Sequence, residues 1–134
     1  MKLKVITVGV RSLGQSLKEV GHVMKSIQQG HSPRSGRPEI HFVDYNAMRQ
    51  VLTARRMELL GLIKDRTPGS VYELSQMAGR DLKNVQDDVA LLERLGFIHV
   101  TRQRTHRHRA VPRVNYDAFD MKVPVSRLAH VQAA

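Results

Sequence analysis

The chain has 134 residues, of which 22 are Lys or Arg and 12 are Asp or Glu, giving a formal net charge of +10. That length suits one compact domain with a modest appendage, and the basic balance favours an anionic partner, nucleic acid first among them. The lack of cysteine excludes a disulfide framework and a thiolate metal site, and no apolar run approaches the ~20 residues of a membrane span.

The opening "KLKVITVGV" is rich in β-branched residues and reads as a strand, and its apolar stretch is too short and too soon followed by charge for a signal peptide. A soluble, cytoplasmic protein is the expectation. "SLGQSLKEVGHVMKSIQQG" then spaces Leu13, Leu17, Val20, Met24 and Ile27 at helical intervals, with Ser12 as N-cap and Gly30 as stop. "HSPRSGRPE" has the composition of a linker, and "IHFVDY" reads as a short strand. These segments form an appendage over residues 1–45, leaving 46–134 as the main domain.

From Asn46 to Gly69 the pattern is helical, with Met57, Leu60 and Ile63 on one stripe, Thr53 able to cap a second segment, and Thr67-Pro68-Gly69 ending it. "SVYELSQMAG" is a short helix opened by a capping box of Ser70 and Glu73 and stopped by Gly79. Asp81 caps a longer helix, 81–95, which Gly96 ends. Short helix, turn, longer helix is the helix-turn-helix order. "FIHVTRQ" and "HRAVPRVNY" follow as two strands closed by "RTHR", the wing of a winged helix over 97–113, and "DMKVPV" reads as a further strand that Pro124 confines to an edge. The expected fold class is α+β: a winged helix-turn-helix with an N-terminal strand-helix appendage.

"VLTARRMELLGLI", "VYELSQMAGRDLKNVQDDVALLERLGFI" and "PRVNYDAFDMKV" closely resemble small prokaryotic winged-helix regulators, the MarR-like DNA-binding proteins and addiction-module antitoxins. The resemblance extends to "LKVITVGVRSL" and "EIHFVDYNAMRQVLT", so it covers nearly the whole chain, and "GRDLKNV" and "LLERLGFI" are its most specific stretches. It implies a homodimeric transcription factor, often an autorepressor of an operon that encodes a protein toxin. One position departs: "NVQDDV" stands where these proteins usually read "NVSRDV" or "NVHRDV", so Asp87 replaces an arginine and its contacts do not transfer.

At about 100° per residue, Val85, Val89 and Leu92 define a buried stripe, with Leu82 and Leu95 at its margins. Asp88 falls on the flank, where it needs a base such as Arg80 or Arg56 because an unpaired charge there is costly. Lys83, Asp87, Ala90 and Arg94 lie outward, toward a major groove. An outward carboxylate either accepts a hydrogen bond from the cytosine amine or pairs with Lys83 one turn earlier; both readings stand.

No acid occurs between Glu93 and Asp117, while Arg94, Arg102, Arg104, Arg107, Arg109 and Arg113 all do. Such guanidiniums bind phosphates or enter a narrow minor groove. With Arg80 just before the recognition helix and Lys83, Asn84, Gln86 and Asp87 on it, they make up the expected DNA-binding set. His106 and His108 have a spacing that zinc ligands on a strand use, but arginines surround them and repel a cation, so no metal and no cofactor is expected. The 4% aromatic content argues against single-strand stacking platforms. No cysteine nucleophile, phosphate loop or metalloprotease motif is present, and adjacent Asp87 and Asp88 point too far apart for a catalytic dyad, so the protein is not expected to be an enzyme. The leading reading is a sequence-specific regulator of double-stranded DNA. The alternatives are an antitoxin that neutralises a cognate toxin while repressing its operon, and a ribosome- or RNA-associated winged helix.

Overall fold

The computed structural model describes residues 3–11, 38–104 and 109–130. The helix expected over 12–29, most of the linker expected after it and all but Arg104 of the expected "RTHR" closure lie outside them. The protein has mixed α and β structure, and among the described residues no helix is long and apolar enough to cross a membrane. It divides into two compact units, Met1–Lys4 with Leu52–Asp117, and Val5–Val51 with Ala118–Ala134. The expected division put everything after residue 45 in one domain. The structure instead places the stretch up to Val51 and the C-terminal residues with the first strand.

In the sheet unit, β1 (Val5–Val10) is the middle of three strands, with β2 (Glu39–Phe42) on one side and β5 (Ala118–Lys122) on the other, both parallel to it. Ile6, Val8 and Val10 are almost wholly buried, which is what a β-branched run in a central parallel strand requires. The strand expected from "DMKVPV" begins two residues earlier, at Ala118, and pairs with β1 across the length of the chain. It does lie at an edge, with Pro124 just past its end. The short helix α1 (Tyr45–Val51) follows β2, started by the Asp44 carboxylate, which accepts from the Ala47 amide at 2.7 Å, and it buries Met48.

The helical unit contains α2 (Ala54–Arg66), α3 (Val71–Ala78) and α4 (Leu82–Leu95), then an antiparallel hairpin of β3 (His99–Arg102) and β4 (Ala110–Arg113). The punctuation is chemical. The Thr53 hydroxyl accepts from the Arg56 amide, and the Ser70 hydroxyl accepts from the Glu73 amide at 3.0 Å while the Glu73 carboxylate takes the Gly69 amide. Gly79 and Gly96 stop α3 and α4 in the left-handed conformation (φ 64 and 93), where a side chain is disfavoured. Asp81 differs from expectation: it precedes α4 but its side chain makes no capping hydrogen bond.

Leu59, Leu60, Ile63, Leu74, Val85, Val89, Leu92 and Phe97 form the core of this unit. Met57 is 37% exposed, although the sequence put it on the buried stripe. The stripe of α2 runs through Leu59, Leu60 and Ile63, and at 100° per residue Met57 lies ~115° from its centre. Arg56 lies only ~15° from that centre, and its side chain is accordingly 22% exposed. Behind the hairpin, Val100 sits opposite Pro112 with both buried, and the Tyr116 phenol donates to the Phe97 carbonyl at 2.8 Å. Burial pushes the Tyr116 phenol pKa up.

Candidate nucleic-acid interface

Helix α4 is two-faced in the phase its sequence predicts. Val85, Val89 and Leu92 are buried, Leu82 and Leu95 are half-buried, and Lys83, Asn84, Gln86, Asp87, Ala90 and Arg94 are exposed. This outward face carries polar side chains able to donate and accept, on a helix held by its apolar stripe against α3 and its neighbours. Asp87 lies 3.9 Å from Lys83 one turn earlier, with both side chains mostly solvated. A pair so exposed is worth a few tenths of a kcal/mol, too little to hold either group away from a ligand.

Asp88 points the other way. Its side chain is 13% exposed and accepts from Arg56 Nε at 3.0 Å on one oxygen and from Arg80 Nη2 at 2.8 Å on the other. Both bases named from the sequence are therefore its partners. The pairing clamps α2, α4 and the turn between α3 and α4 together. Arg80, expected among the DNA contacts, is thereby held on Asp88 with its side chain 13% exposed.

The basic ribbon separates into several roles. Arg113 lies half-buried and donates through Nη1 to the Pro68 and Pro112 carbonyls at 2.6 and 2.7 Å, so it holds β4 to the chain entering α3 and does not face outward as expected. Arg102 forms a two-bonded fork with Glu93, Nη1 and Nη2 each donating to a carboxylate oxygen at an N···O distance of 2.9 Å, joining the hairpin to the last turn of α4. The Arg102 hydrogen bonds hold the Glu93 carboxyl below the usual carboxylate range, and the same bonds raise the Arg102 pKa. Arg104 and Arg109 are exposed at the tip end of the two strands, where the Gln103 amide donates to the Arg109 carbonyl. Among the described residues neither they nor Arg94 form an ion pair. Arg107, His106 and His108 lie outside the described residues.

Sequence reasoning missed the Glu93–Arg102 fork. The span without acids begins just after Glu93, but the glycine turn after α4 brings Glu93 itself back beside β3. It also missed Tyr72 on α3, 58% exposed, whose hydroxyl accepts from the Gln76 amide at 3.0 Å. An aromatic among polar residues on the exposed side of the short helix was the available signal.

No curated protein and no solved structure matches the chain. The sequence model of one family, HVO_A0114, matches residues 51–121, just over half of the chain. The match begins at the last residue of α1 and takes in all of α2 to α4, the hairpin and most of β5. The polar face of α4 and the exposed arginines of the hairpin thus lie in the portion shared with that family, and the chain belongs to the HVO_A0114 family.

Proposed function

We propose that the protein is a sequence-specific regulator of transcription that binds double-stranded DNA, its helical unit acting as a winged helix-turn-helix. In this reading α4 enters the major groove, and the hairpin is the wing that lies on the backbone or in the minor groove. The observation that carries it is the division of α4 into a buried apolar stripe and an exposed row of Lys83, Asn84, Gln86, Asp87 and Arg94, followed at once by a hairpin with Arg104 and Arg109 exposed. Asn84 and Gln86 suit adenine edges, and Asp87 suits a cytosine amine. Arg104 and Arg109 suit phosphates, and Arg80 and Arg113 serve the scaffold. The protein acts as a homodimer, because a single helix of this kind reads only a half-site and two-fold pairing supplies the second.

The test is selection of bound genomic fragments by the full-length protein, followed by titration of the enriched duplex against a shuffled duplex and against double-stranded RNA of the same sequence. Enrichment of a common motif with at least ~10³-fold preference over shuffled DNA is expected of a specific binder. Equal affinity for all three duplexes would leave only charge-driven binding, and tighter binding to RNA would overturn the assignment of α4 to a major groove.

A further inference from the structure

The sheet unit carries charges that DNA binding does not use. In the parallel register Thr7 lies beside Glu39 and Asp120, and Gly9 lies beside His41 and Lys122. Side chains paired in this way share a face of the sheet and alternate along each strand. The face is therefore graded. One row holds the acids Glu39 and Asp120, the next row toward the carboxyl ends of the strands holds His41 and Lys122, and Arg11 stands beyond. The Glu39 carboxylate reaches forward into the row of bases, to 3.1 Å from His41 Nε2 and 3.9 Å from Arg11 Nη2.

A cleft of about 760 Å³ opens there, lined among others by Gly9, Arg11, Glu39, His41, Lys122 and Pro124. Gly9 shapes it: a Cβ at that position would come within 3.0 Å of His41 Nδ1 and 3.3 Å of the Lys122 carbonyl oxygen, so a larger residue would crowd the imidazole where it leans across the strand. The ring Nε2 then sits 3.1 Å from the Glu39 carboxylate. That hydrogen bond, with Arg11 and Lys122 nearby, holds the Glu39 carboxyl below the usual carboxylate range, and Arg11 Nη2 lies 3.9 Å from the same carboxylate. The Lys122–Asp120 pair is long, 3.8 Å, with the lysine largely in solvent. A pair of this kind contributes little, and redirecting its cation to a ligand costs little. The cleft runs over the face of the sheet, from Thr7 and Glu39 to Lys122 and Pro124.

We propose that this cleft binds a small organic anion, a carboxylate or a phosphate monoester, whose charged group is received by Arg11 and Lys122 beside the His41 ring. Its volume lies within the range of small-molecule sites and exceeds what a bare inorganic ion fills. Every residue involved belongs to the sheet unit, so anion binding here is independent of DNA binding by the helical unit.

Calorimetric titration of the full-length protein at neutral pH and roughly 0.15 M salt tests it, with ribose 5-phosphate, inorganic phosphate and succinate as probes and ribose as the neutral control. Saturable binding of at least one organic anion, one per chain, with none of ribose, is expected. Success of the two phosphate probes identifies the ligand as a phosphate monoester, and success of succinate alone identifies a carboxylate. Lys122 is 70% exposed, so Lys122→Ala preserves the fold, and it should weaken the bound probe about ten-fold, the effect of one charge-assisted hydrogen bond. Arg104→Ala with Arg109→Ala should leave binding unchanged. Failure of all three anions at millimolar concentration overturns the proposal, as does binding that survives Lys122→Ala but disappears with the two hairpin arginines.

Discussion

Asp87 and Asp88 are neighbours in the chain with opposite work, and the helical period is the reason. Asp88 is held because Arg56 sits nearly at the centre of the α2 stripe and Arg80 is largely buried in the turn before α4, so two guanidiniums inside the unit need one anion. Asp88→Ala leaves both without it, and a loss of about 3 kcal/mol is expected, where the cost of lost charged hydrogen bonds meets that of a broken buried pair. Asp88→Asn should recover little, because its amide would turn N–H groups toward a guanidinium; a melt of Asp88→Asn at wild-type temperature would dismiss the clamp. Asp87→Ala makes the contrasting case. Its side chain is 67% exposed, so stability should hold while affinity for random DNA rises with the loss of repulsion. Discrimination at a contacted C·G pair should shrink by roughly 1 to 3 kcal/mol. Binding isotherms of this variant on the selected duplex and its altered-pair counterpart decide whether Asp87 reads a base.

Among the elements, the helix starts divide into those closed by a side chain and one that is not. Ser70 satisfies an orphan amide of α3, so Ser70→Ala should cost about 1 kcal/mol. Asp81 makes no such bond, and Asp81→Ala should change stability far less; equal losses in denaturant unfolding would show that Asp81 closes α4 in solution. In the hairpin, Arg104 and Arg109 extend outward while Arg102 is anchored to Glu93. Replacing the exposed pair with alanine should weaken binding to selected and shuffled DNA alike, and should flatten the plot of log affinity against log salt by about 0.9 for each phosphate no longer neutralised. A weakening confined to the selected sequence would instead make the hairpin a reader of bases.

For the whole molecule, acid is the common stress. Glu39, Glu93 and Asp117 all have carboxyl pKa values below their ordinary positions of 4.5, 4.5 and 3.8, the first through His41, the second through Arg102, the third through the Lys4 amide and then Lys64. A pKa lowered by folding contributes stability that is complete above the unfolded value and is lost as pH falls through the folded one. Glu39 lies in the sheet unit and the other two in the helical unit, so both units lose support in the same window, and the growing positive charge adds repulsion. The melting temperature should be nearly level from about pH 8 to pH 5 and fall below about pH 4.5. A decline that begins near neutrality would assign the pH response to histidine instead.

The local chemistry of the helical unit was legible in the sequence. Thr53, Ser70, Gly79 and Gly96 mark where helices start and stop because caps and left-handed stops act within a few residues, and the phase of α4 follows from three apolar positions. The two candidate partners of Asp88 were readable for the same reason, since a half-buried acid demands a nearby base. Other features left no local mark. Nothing in "AFDMK" says that it pairs with a strand more than a hundred residues earlier, because the register of a parallel sheet is settled between remote segments. Arg113 looks like any other arginine of the ribbon until β4 brings it against the Pro68 carbonyl, and Glu93 looks detached from Arg102 until the Gly96 turn folds it back. The gradation of charge across Thr7, Gly9 and their neighbours is equally invisible in one dimension, since Glu39, His41 and Lys122 share a face only once three separated strands lie side by side. In the helical unit the caps at Thr53 and Ser70, the stops at Gly79 and Gly96 and the two faces of α4 depend on neighbours one turn away and can be read locally; which cations face outward and where the sheet gathers its charges depend on contacts between segments that the chain keeps far apart.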